Sequence, residues 1–211
     1  MESYPIMMNL KGKNIVIVGG GQIAYRKLSG LQQTGALITV VSPVIHEEIE
    51  KILTINKITW KKKYFEPDDL DSAFIIIAAT NDKKVNAEVA LSARNHQLVN
   101  IVDNHEISNF HVPAKLKRGE LTISVATGGA SPILAKVIRN ELATIYDESY
   151  EAYLEFLAIS REKVKHLTLN QEIKRQLLKD ITDSTYRRSK SKQKEFLEMI
   201  DGYVSKEESQ L

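Results

Sequence analysis

Cysteine is absent from the 211-residue chain. This absence excludes a disulfide scaffold, a zinc site with thiolate ligands, an iron–sulfur cluster and a cysteine nucleophile. Long apolar runs are also missing, because stretches such as residues 73–79 are far shorter than the roughly 18 residues that a membrane helix needs. The N-terminal sequence lacks the basic region and apolar run of a signal peptide. We therefore expect a cytoplasmic protein with no membrane partner.

A large excess of one charge is missing too, since the net charge is only +2. Residues 161–194 nevertheless carry eleven Lys or Arg against four Asp or Glu. Three interpretations stay open: a solvated helical surface, a basic wall for an anionic ligand, or a nucleic-acid surface. Tyr186 is the one aromatic residue of that stretch, so we find no base-stacking platform and expect no nucleic-acid partner.

Short apolar runs alternate with helix-like stretches over the first 127 residues. The runs predict six strands, at Asn14–Val18 and at residues 38–41, 58–60, 74–79, 98–102 and 121–126. Runs this rich in Val and Ile are typical of a parallel sheet that helices cover on both faces. The stretches between them, at residues 22–35, 46–52, 81–95 and 113–118, favour helices. This order predicts an α/β fold, a Rossmann-like, doubly wound parallel sheet.

Proline and glycine almost disappear from the last third of the chain. Ser131 and Pro132 are typical of a helix start, and no proline follows them. Helical spacing then predicts helices over residues 133–145, 148–167, 170–181 and 190–200. We expect a Rossmann-like domain with a dimerisation segment over residues 1–147 and an all-helical C-terminal domain over residues 148–211.

Three consecutive glycines follow the first predicted strand. Gly19, Gly21 and Ala24 match the G-x-G-x-x-A pattern between a strand and a helix. The first glycine permits a tight turn, the second lets a pyrophosphate approach the backbone, and Ala24 allows close packing. The alternative is a purely structural glycine turn. Together with the strand before it and the helix after it, the motif predicts dinucleotide binding.

One part of the dinucleotide pattern is missing, because the acid that usually holds the adenosine ribose should fall near Ser42. Ser42 and the backbone around Pro43 and Val44 are the remaining candidates for ribose contacts. This rule alone does not choose between NAD and NADP.

Polar residues follow three further predicted strands, where a doubly wound sheet places its ligands. Thr80 follows the fourth strand, Asp103 the fifth and Thr127 the sixth. A partly buried carboxylate at Asp103 can act as a general base, or it can be a turn or helix-capping residue. Thr127 begins either a second anion-binding turn or merely a capped turn.

Together these motifs resemble the precorrin-2 dehydrogenase module of the siroheme synthase family. The matching segments run in order over about residues 4–147. They are residues 4–6, 18–27, 34–36, 39–43, 78–82, 85–86, 100–103, 110, 113–114, 127–132 and 139. No sharp motif of the family matches in the helical tail.

The resemblance implies an NAD-dependent oxidation of precorrin-2 to sirohydrochlorin in siroheme biosynthesis. The family's essential aspartate falls on Asp103, which we interpret as the general base. Its cofactor contacts fall on Gln22 and Ile23 after the glycine turn, and on Pro43 and Val44 after the second strand.

The resemblance also implies a site for a tetrapyrrole that carries many carboxylates. Thr127 stands where the family has a serine, and it keeps the hydroxyl. Basic residues should line the site; our candidates are Lys115, Arg118 and Arg139, with Arg187 and Arg188 as weaker ones. Family members are dimers, so we expect a homodimer.

Alternative functions stay open. Some family members also insert Fe²⁺, so a bifunctional dehydrogenase and ferrochelatase is the first alternative. Ser108 and Asn109 stand where the family often has a cysteine, so we assign no metal ligand. The alternatives of another class are an NAD(H)-sensing module without chemistry and a basic helical interaction protein. A sensor shares the glycine turn but gives no reason for Asp103 at a strand end.

Overall fold

The computed structural model describes residues 4–55 and 58–208, with side chains for all of these except 54, 55 and 204–208. The parts of the predicted domains 1–147 and 148–211 that fall on other residues lie outside this description. The chain folds as two compact units, the first ending at Val112 and the second beginning at Pro113. The domain boundary near residue 147 lies within the second unit and stays a prediction.

The first unit is a five-stranded parallel sheet with the order β3-β2-β1-β4-β5. Its strands are β1 (Asn14–Val18), β2 (Leu37–Val41), β3 (Ile58–Lys61), β4 (Ile75–Ala78) and β5 (Leu98–Ile101). The helices between them are α1 (Gln22–Leu31), α2 (Glu47–Ile55) and α3 (Lys83–Ser92). The predicted Rossmann-like parallel sheet is confirmed. The chain runs outward from β1 to β3 and returns on the other side of β1, which makes a topological switch point between β1 and β4.

Both faces of this sheet are buried, as the continuous apolar runs predict. In β1, Ile15 and Ile17 are 0% exposed and pack with Ala24 and Leu28 of α1. The alternate residues of β1 point to the opposite face and pack with residues of α3 and the 67–73 segment. Strand alternation thus divides a continuous apolar run between two cores.

The second unit begins with an antiparallel hairpin and continues as helices. The hairpin strands are β6 (Ala114–Arg118) and β7 (Leu121–Val125). The helices are α4 (Pro132–Ile145), α5 (Ser149–His166), α6 (Gln171–Asp180), α7 (Ser184–Arg188) and α8 (Lys190–Glu208). The four predicted helices are confirmed, and α7 is an addition. None of the described helices is long and apolar enough to cross a membrane.

Two sequence predictions are wrong at this hairpin. Residues 113–118 were expected in a helix, but they form β6, and residues 121–126 contribute to β7 rather than to a sixth parallel strand. In β6 the exposed Lys115 and Lys117 flank the buried Leu116, the period-two pattern of an antiparallel strand with one covered face. Gly119, with φ +54°, permits the two-residue turn to β7.

Candidate functional site

A cleft of about 580 Å³ opens at the carboxyl ends of β1, β2 and β4. This is the switch point of the sheet, where doubly wound folds bind their ligands. The volume lies within the range of about 300–1,000 Å³ that ligand pockets occupy. Residues 18–21, 41–46, 64–65, 79–82 and 85 line it.

The glycine turn after β1 forms one wall of the cleft. Gly19 has φ +117°, and a Cβ there would lie 2.4 Å from the Ala79 carbonyl oxygen. A Cβ on Gly20 would lie 2.1 Å from the Val44 carbonyl oxygen. A Cβ on Gly21 would meet nothing within 4 Å, so that side of the backbone stays open to a ligand. Ala24 is 0% exposed, which confirms the close helix packing that the motif predicts.

The first turn of α1 presents backbone donors at the same wall. Gly21 is the N-cap residue, and no side chain caps the helix. Gln22 and Ile23 follow it as exposed residues of the first turn. Uncapped N–H groups at a helix N-terminus favour a phosphate. The residues present therefore fit the pyrophosphate of a dinucleotide.

The turn after β2 forms the opposite wall. Ser42 is 8% exposed, and its Oγ donates a hydrogen bond of 2.6 Å to the Val44 carbonyl oxygen. Trp60 Nε1 donates to the Ser42 carbonyl oxygen at 2.9 Å. Ser42 therefore shapes this turn and has its proton committed within it. Pro43 and Val44 line the cleft.

Thr80 lines the cleft after β4, and Asp103 follows β5. Asp103 is an exposed residue, so the expected partial burial of its carboxylate is wrong. A buried side chain joins the two: Asn86 of α3 accepts from Thr80 Oγ1 at 2.8 Å and donates to Asp103 Oδ1 at 3.1 Å. The structure thus links the candidate base to the wall of the cleft.

The basic candidates lie in the second unit. Lys115 and Arg118 belong to β6, and Arg139 belongs to α4, which packs on β6 and β7. The Nε atoms of Arg118 and Arg139 are buried and have no hydrogen-bond partner among the described residues. A buried donor without a partner costs about 1–3 kcal/mol. A ligand carboxylate would supply the missing acceptor.

Thr127 organises the turn that leads into α4. Its Oγ1 accepts from Ser131 N at 3.1 Å and donates to the Ser131 carbonyl oxygen at 3.0 Å. Ser131 in turn accepts from Leu134 N at 3.1 Å as the N-cap of α4. These bonds match a capped turn, and the anion-binding interpretation stays a prediction.

The Arg187 side chain is bound by other residues of the second unit. Its guanidinium lies 4.5 Å from the centre of the Tyr150 ring, and Nη1 is 3.5 Å from Asp147 Oδ1 and 3.2 Å from Ser149 Oγ. Hydrogen bonds from Ser149, then the Arg187 charge, lower the pKa of Asp147. Arg187 is therefore bound by side chains of its own unit. Arg188 is exposed, and no such contact is seen for it among the described residues.

Asn86 is the site residue to which sequence reasoning gave no role. Asn86 lies on the same buried face of α3 as Val89 and Ala90, which follow it by about one helical turn. A buried polar residue needs a hydrogen-bond partner. An asparagine on the apolar face of a predicted helix is therefore the sequence signal that could have identified Asn86. Tyr64 and Phe65, which also line the cleft, carry no comparable pattern.

Family models match most of the chain. A model described as NAD(P)-binding matches residues 6–114, which shows that the first unit binds a nicotinamide dinucleotide. The model of the sirohaem biosynthesis protein central domain matches residues 118–144. The SirC C-terminal domain model matches residues 150–196.

Curated relatives agree with these matches. A precorrin-2 dehydrogenase of Priestia megaterium is 40% identical over 200 residues, which are 95% of this chain and 99% of that protein. A siroheme synthase of Methylobacillus flagellatus is 40% identical over 166 residues, which are 78% of this chain. The match covers only 36% of that siroheme synthase, so the chain corresponds to about a third of it.

A solved structure described as SirC, precorrin-2 dehydrogenase, matches with a TM-score of 0.86. It is 40% identical, and the match covers 95% of this chain and 100% of that one. Sequence, fold and family models agree over both units, and the chain belongs to the precorrin-2 dehydrogenase family.

Proposed function

We propose that this protein oxidises precorrin-2 to sirohydrochlorin with NAD as the hydride acceptor, a step of siroheme biosynthesis. The observation that carries the proposal is the match of nearly the whole chain to a protein named precorrin-2 dehydrogenase. The cleft at the switch point supports the cofactor, and the Asp103 carboxylate beside it supports the chemistry.

The first unit would hold the dinucleotide. The backbone of Gly19 and Gly21 and the first-turn amides of Gln22 and Ile23 would bind the pyrophosphate. Pro43 and Val44 would contact the adenosine side, with Ser42 shaping their turn, and Thr80 lies at the end of β4. When bound, NAD supplies a hydride acceptor.

The charge of the cleft supports NAD over NADP as the cofactor. Among the described residues that line it, none is Lys or Arg. The 2′-phosphate of NADP would carry about −2 charge and normally requires an arginine nearby. NAD carries a hydroxyl at that position and has no such requirement.

Asp103 is the candidate general base. The oxidation removes a hydride and a proton from the substrate, and a carboxylate can take the proton. Asp103 Oδ1 is held by Asn86 at 3.1 Å, so the other oxygen is available to the substrate.

The second unit would bind the carboxylates of the tetrapyrrole. Arg118 and Arg139 each offer a buried Nε without a partner among the described residues, and charge-assisted hydrogen bonds to carboxylates are strong. Lys115 adds an exposed cation on β6, and Thr127 adds a hydroxyl.

We also place the enzyme in the cytoplasm as a homodimer. On α4, Ile133, Val137 and Ile145 are 76%, 45% and 60% exposed, an apolar surface that a second copy would cover. Sedimentation velocity checks the dimer, and a monomer at micromolar concentration would contradict it.

The test is anaerobic turnover of precorrin-2 with NAD⁺ or NADP⁺ and without metal. NADH and sirohydrochlorin should appear together, and NADP⁺ should be the poorer acceptor. Asp103→Ala should lower kcat by about 10²–10⁴-fold because the base is lost. Its NAD dissociation constant, measured by titration, should stay within about twofold, because Asp103 does not line the cleft.

Asp68→Ala is the matched control, since Asp68 is an exposed aspartate of the first unit. Its kcat should equal that of the parent. Dinucleotide binding without turnover by the parent protein would favour the sensor, and full activity of Asp103→Ala would reject the base assignment.

A further inference from the structure

Asn86 uses every hydrogen-bonding position of its side chain. It is 1% exposed. Oδ1 accepts from Thr80 N at 3.2 Å and from Thr80 Oγ1 at 2.8 Å. Nδ2 donates to the Thr80 carbonyl oxygen at 3.2 Å and to Asp103 Oδ1 at 3.1 Å. A primary amide has two donors and two acceptor lone pairs, and each has a partner within 3.2 Å. The single Thr80 hydroxyl proton is shared between Asn86 Oδ1 and the Asp82 carbonyl oxygen, which lies 2.9 Å from Thr80 Oγ1.

The backbone of Thr80 determines which way the Asn86 amide faces. The Thr80 N–H can only donate, so it must meet Oδ1, and the Thr80 carbonyl can only accept, so it must meet Nδ2. The second proton of Nδ2 therefore points at Asp103. What Asn86 offers the carboxylate is a donor, and reversal of the amide would break both bonds to the Thr80 backbone.

Asp103 depends on this one bond for its orientation. Among the residues that the structure describes, its carboxylate makes no other hydrogen bond or ion pair. An exposed carboxylate on a turn rotates freely unless it is held. Asn86 holds Oδ1 from a buried position and leaves the second oxygen for a proton of the substrate.

We propose that Asn86 is a positioning residue of the oxidation, which aims Asp103 and ties it through Thr80 to the wall of the dinucleotide cleft. The inference rests on the proposed function. The proton acceptor and the hydride acceptor must reach the same substrate, so their relative placement governs the rate. A misplacement of about 1 Å can cost about 10²-fold.

A purely structural role makes a different prediction. Three of the four bonds of Asn86 go to Thr80, and they would stabilise the β4–α3 turn whatever Asp103 does. Loss of Asn86 would then lower stability, and any effect on rate would be independent of Asp103. Coupling between the two residues therefore separates the two roles.

The experiment is a double-mutant cycle on the full chain, with Asn86→Ala, Asp103→Ala and the double variant. Single-turnover rates with precorrin-2 and NAD⁺ are measured. Asn86→Ala should lower the rate about 10–100-fold, with KM and the NAD dissociation constant changed by less than about threefold. In the Asp103→Ala background the same change should alter the remaining rate by less than about twofold. An equal fall in both backgrounds overturns the proposal.

Asn86→Asp is the conservative variant in case Asn86→Ala folds poorly. It keeps the size of the side chain and an acceptor for the Thr80 N–H, but it puts a carboxylate against Asp103. The rate should fall at least as far as in Asn86→Ala. A parental rate in a folded Asn86→Asp protein overturns the proposal.

Gln97→Ala is the matched control. Gln97 is also a 1% exposed amide, and its Nε2 donates to the carbonyl oxygens of Leu70 at 2.6 Å and Ala73 at 2.8 Å. It lies before β5, whereas Asp103 follows that strand. The variant should lose stability as Asn86→Ala does and keep its rate within about twofold. An equal loss of rate would mean that destabilisation alone explains both, and the proposal would fail.

A readout without turnover separates this inference from the proposed function. In the unliganded protein, the side-chain amide protons of Asn86 are followed by NMR. Asp103→Ala should move one of these two proton resonances strongly upfield because a charge-assisted bond is lost, while Asp68→Ala should leave both unchanged. If neither moves, the positioning role is wrong even if precorrin-2 is oxidised. If one moves in a protein that does not oxidise precorrin-2, the proposed function fails instead.

Discussion

The first unit is built on a core of branched aliphatic strands, whereas the second is built on packed rings. Ile15 and Ile17 of β1 are 0% exposed in a sheet that helices cover on both faces. In the second unit, Phe156 stacks on Tyr186 with ring centres 6.1 Å apart and meets Phe196 at 6.0 Å. Parallel strands bring their ends together at one edge, so the first unit concentrates its chemistry there. Helices packed by rings spread their polar residues over the surface.

This difference limits how well the charge of a sequence segment predicts a ligand-binding site. The basic surplus of residues 161–194 includes Arg187, which Asp147 and the Tyr150 ring already hold. Arg118 and Arg139 lie outside that surplus, yet they carry the buried Nε atoms without partners among the described residues. Packing, rather than local charge density, identifies the arginines that can take a ligand.

The largest effect on stability is expected from a substitution among the packed aromatic rings of the second unit. Phe156→Ala should lower the free energy of unfolding of the second unit by about 3–5 kcal/mol, because it leaves a cavity among three rings. Urea unfolding followed by circular dichroism measures the loss. NAD affinity under native conditions should not change, since first-unit residues line the cleft. Ile159→Ala, at a residue that is 49% exposed on the same helix, should cost less than about 1 kcal/mol. Loss of NAD binding in Phe156→Ala would show that the two units depend on each other.

The next largest effect on stability is expected at the glycine turn of the first unit. Gly19→Ala should cost about 3 kcal/mol, because it combines φ +117° with a contact of 2.4 Å to the Ala79 carbonyl oxygen. NAD affinity, measured by titration, should fall at least about tenfold. Gly128→Ala in the second unit is the control: it has φ +59° but nothing within 4 Å, so it should cost about 1 kcal/mol. Equal costs for both would contradict the close approach at Gly19.

The smallest effect concerns a buried carboxylate of the first unit. Asp69 lies 2.9 Å from Lys61 Nζ and 3.1 Å from Lys63 Nζ. Burial raises the pKa of Asp69. Hydrogen bonds from the two lysines and the Glu66 backbone lower the pKa by more than burial raises it, so the pKa lies below its ordinary 3.8. Asp69→Asn should cost about 2 kcal/mol at neutral pH, the value of hydrogen bonds to a charged group.

Because the folded-state pKa of Asp69 is depressed, its stabilisation is present in full above about pH 4 and is lost as pH falls through the lower folded pKa. Unfolding free energies of the parent and Asp69→Asn should therefore converge at acid pH. Asp147→Asn in the second unit should show a weaker convergence, because Asp147 is exposed to solvent. A constant difference across this pH range would contradict the assignment to Asp69.

Sequence reasoning succeeded where a local pattern is enough. The five parallel strands, the glycine turn and the Ser131–Pro132 helix start all follow from residues close together in the chain. It failed at β6, because a strand of five residues with three basic ones shows its covered face only once β7 and α4 pack against it. It gave Asn86 no role, because the partner Asp103 lies 17 residues away on another element.

By itself, the sequence determined the family, the parallel sheet and the dinucleotide motif, because strand hydrophobicity and glycine conformation act over a few residues. Only the tertiary structure decided which polar groups are satisfied. It brought Trp60 Nε1 to the Ser42 carbonyl oxygen, engaged Arg187 with Asp147, and aimed Asn86 at Asp103. A hydrogen bond needs two groups within about 3 Å, and folding alone brings residues from different elements to that distance.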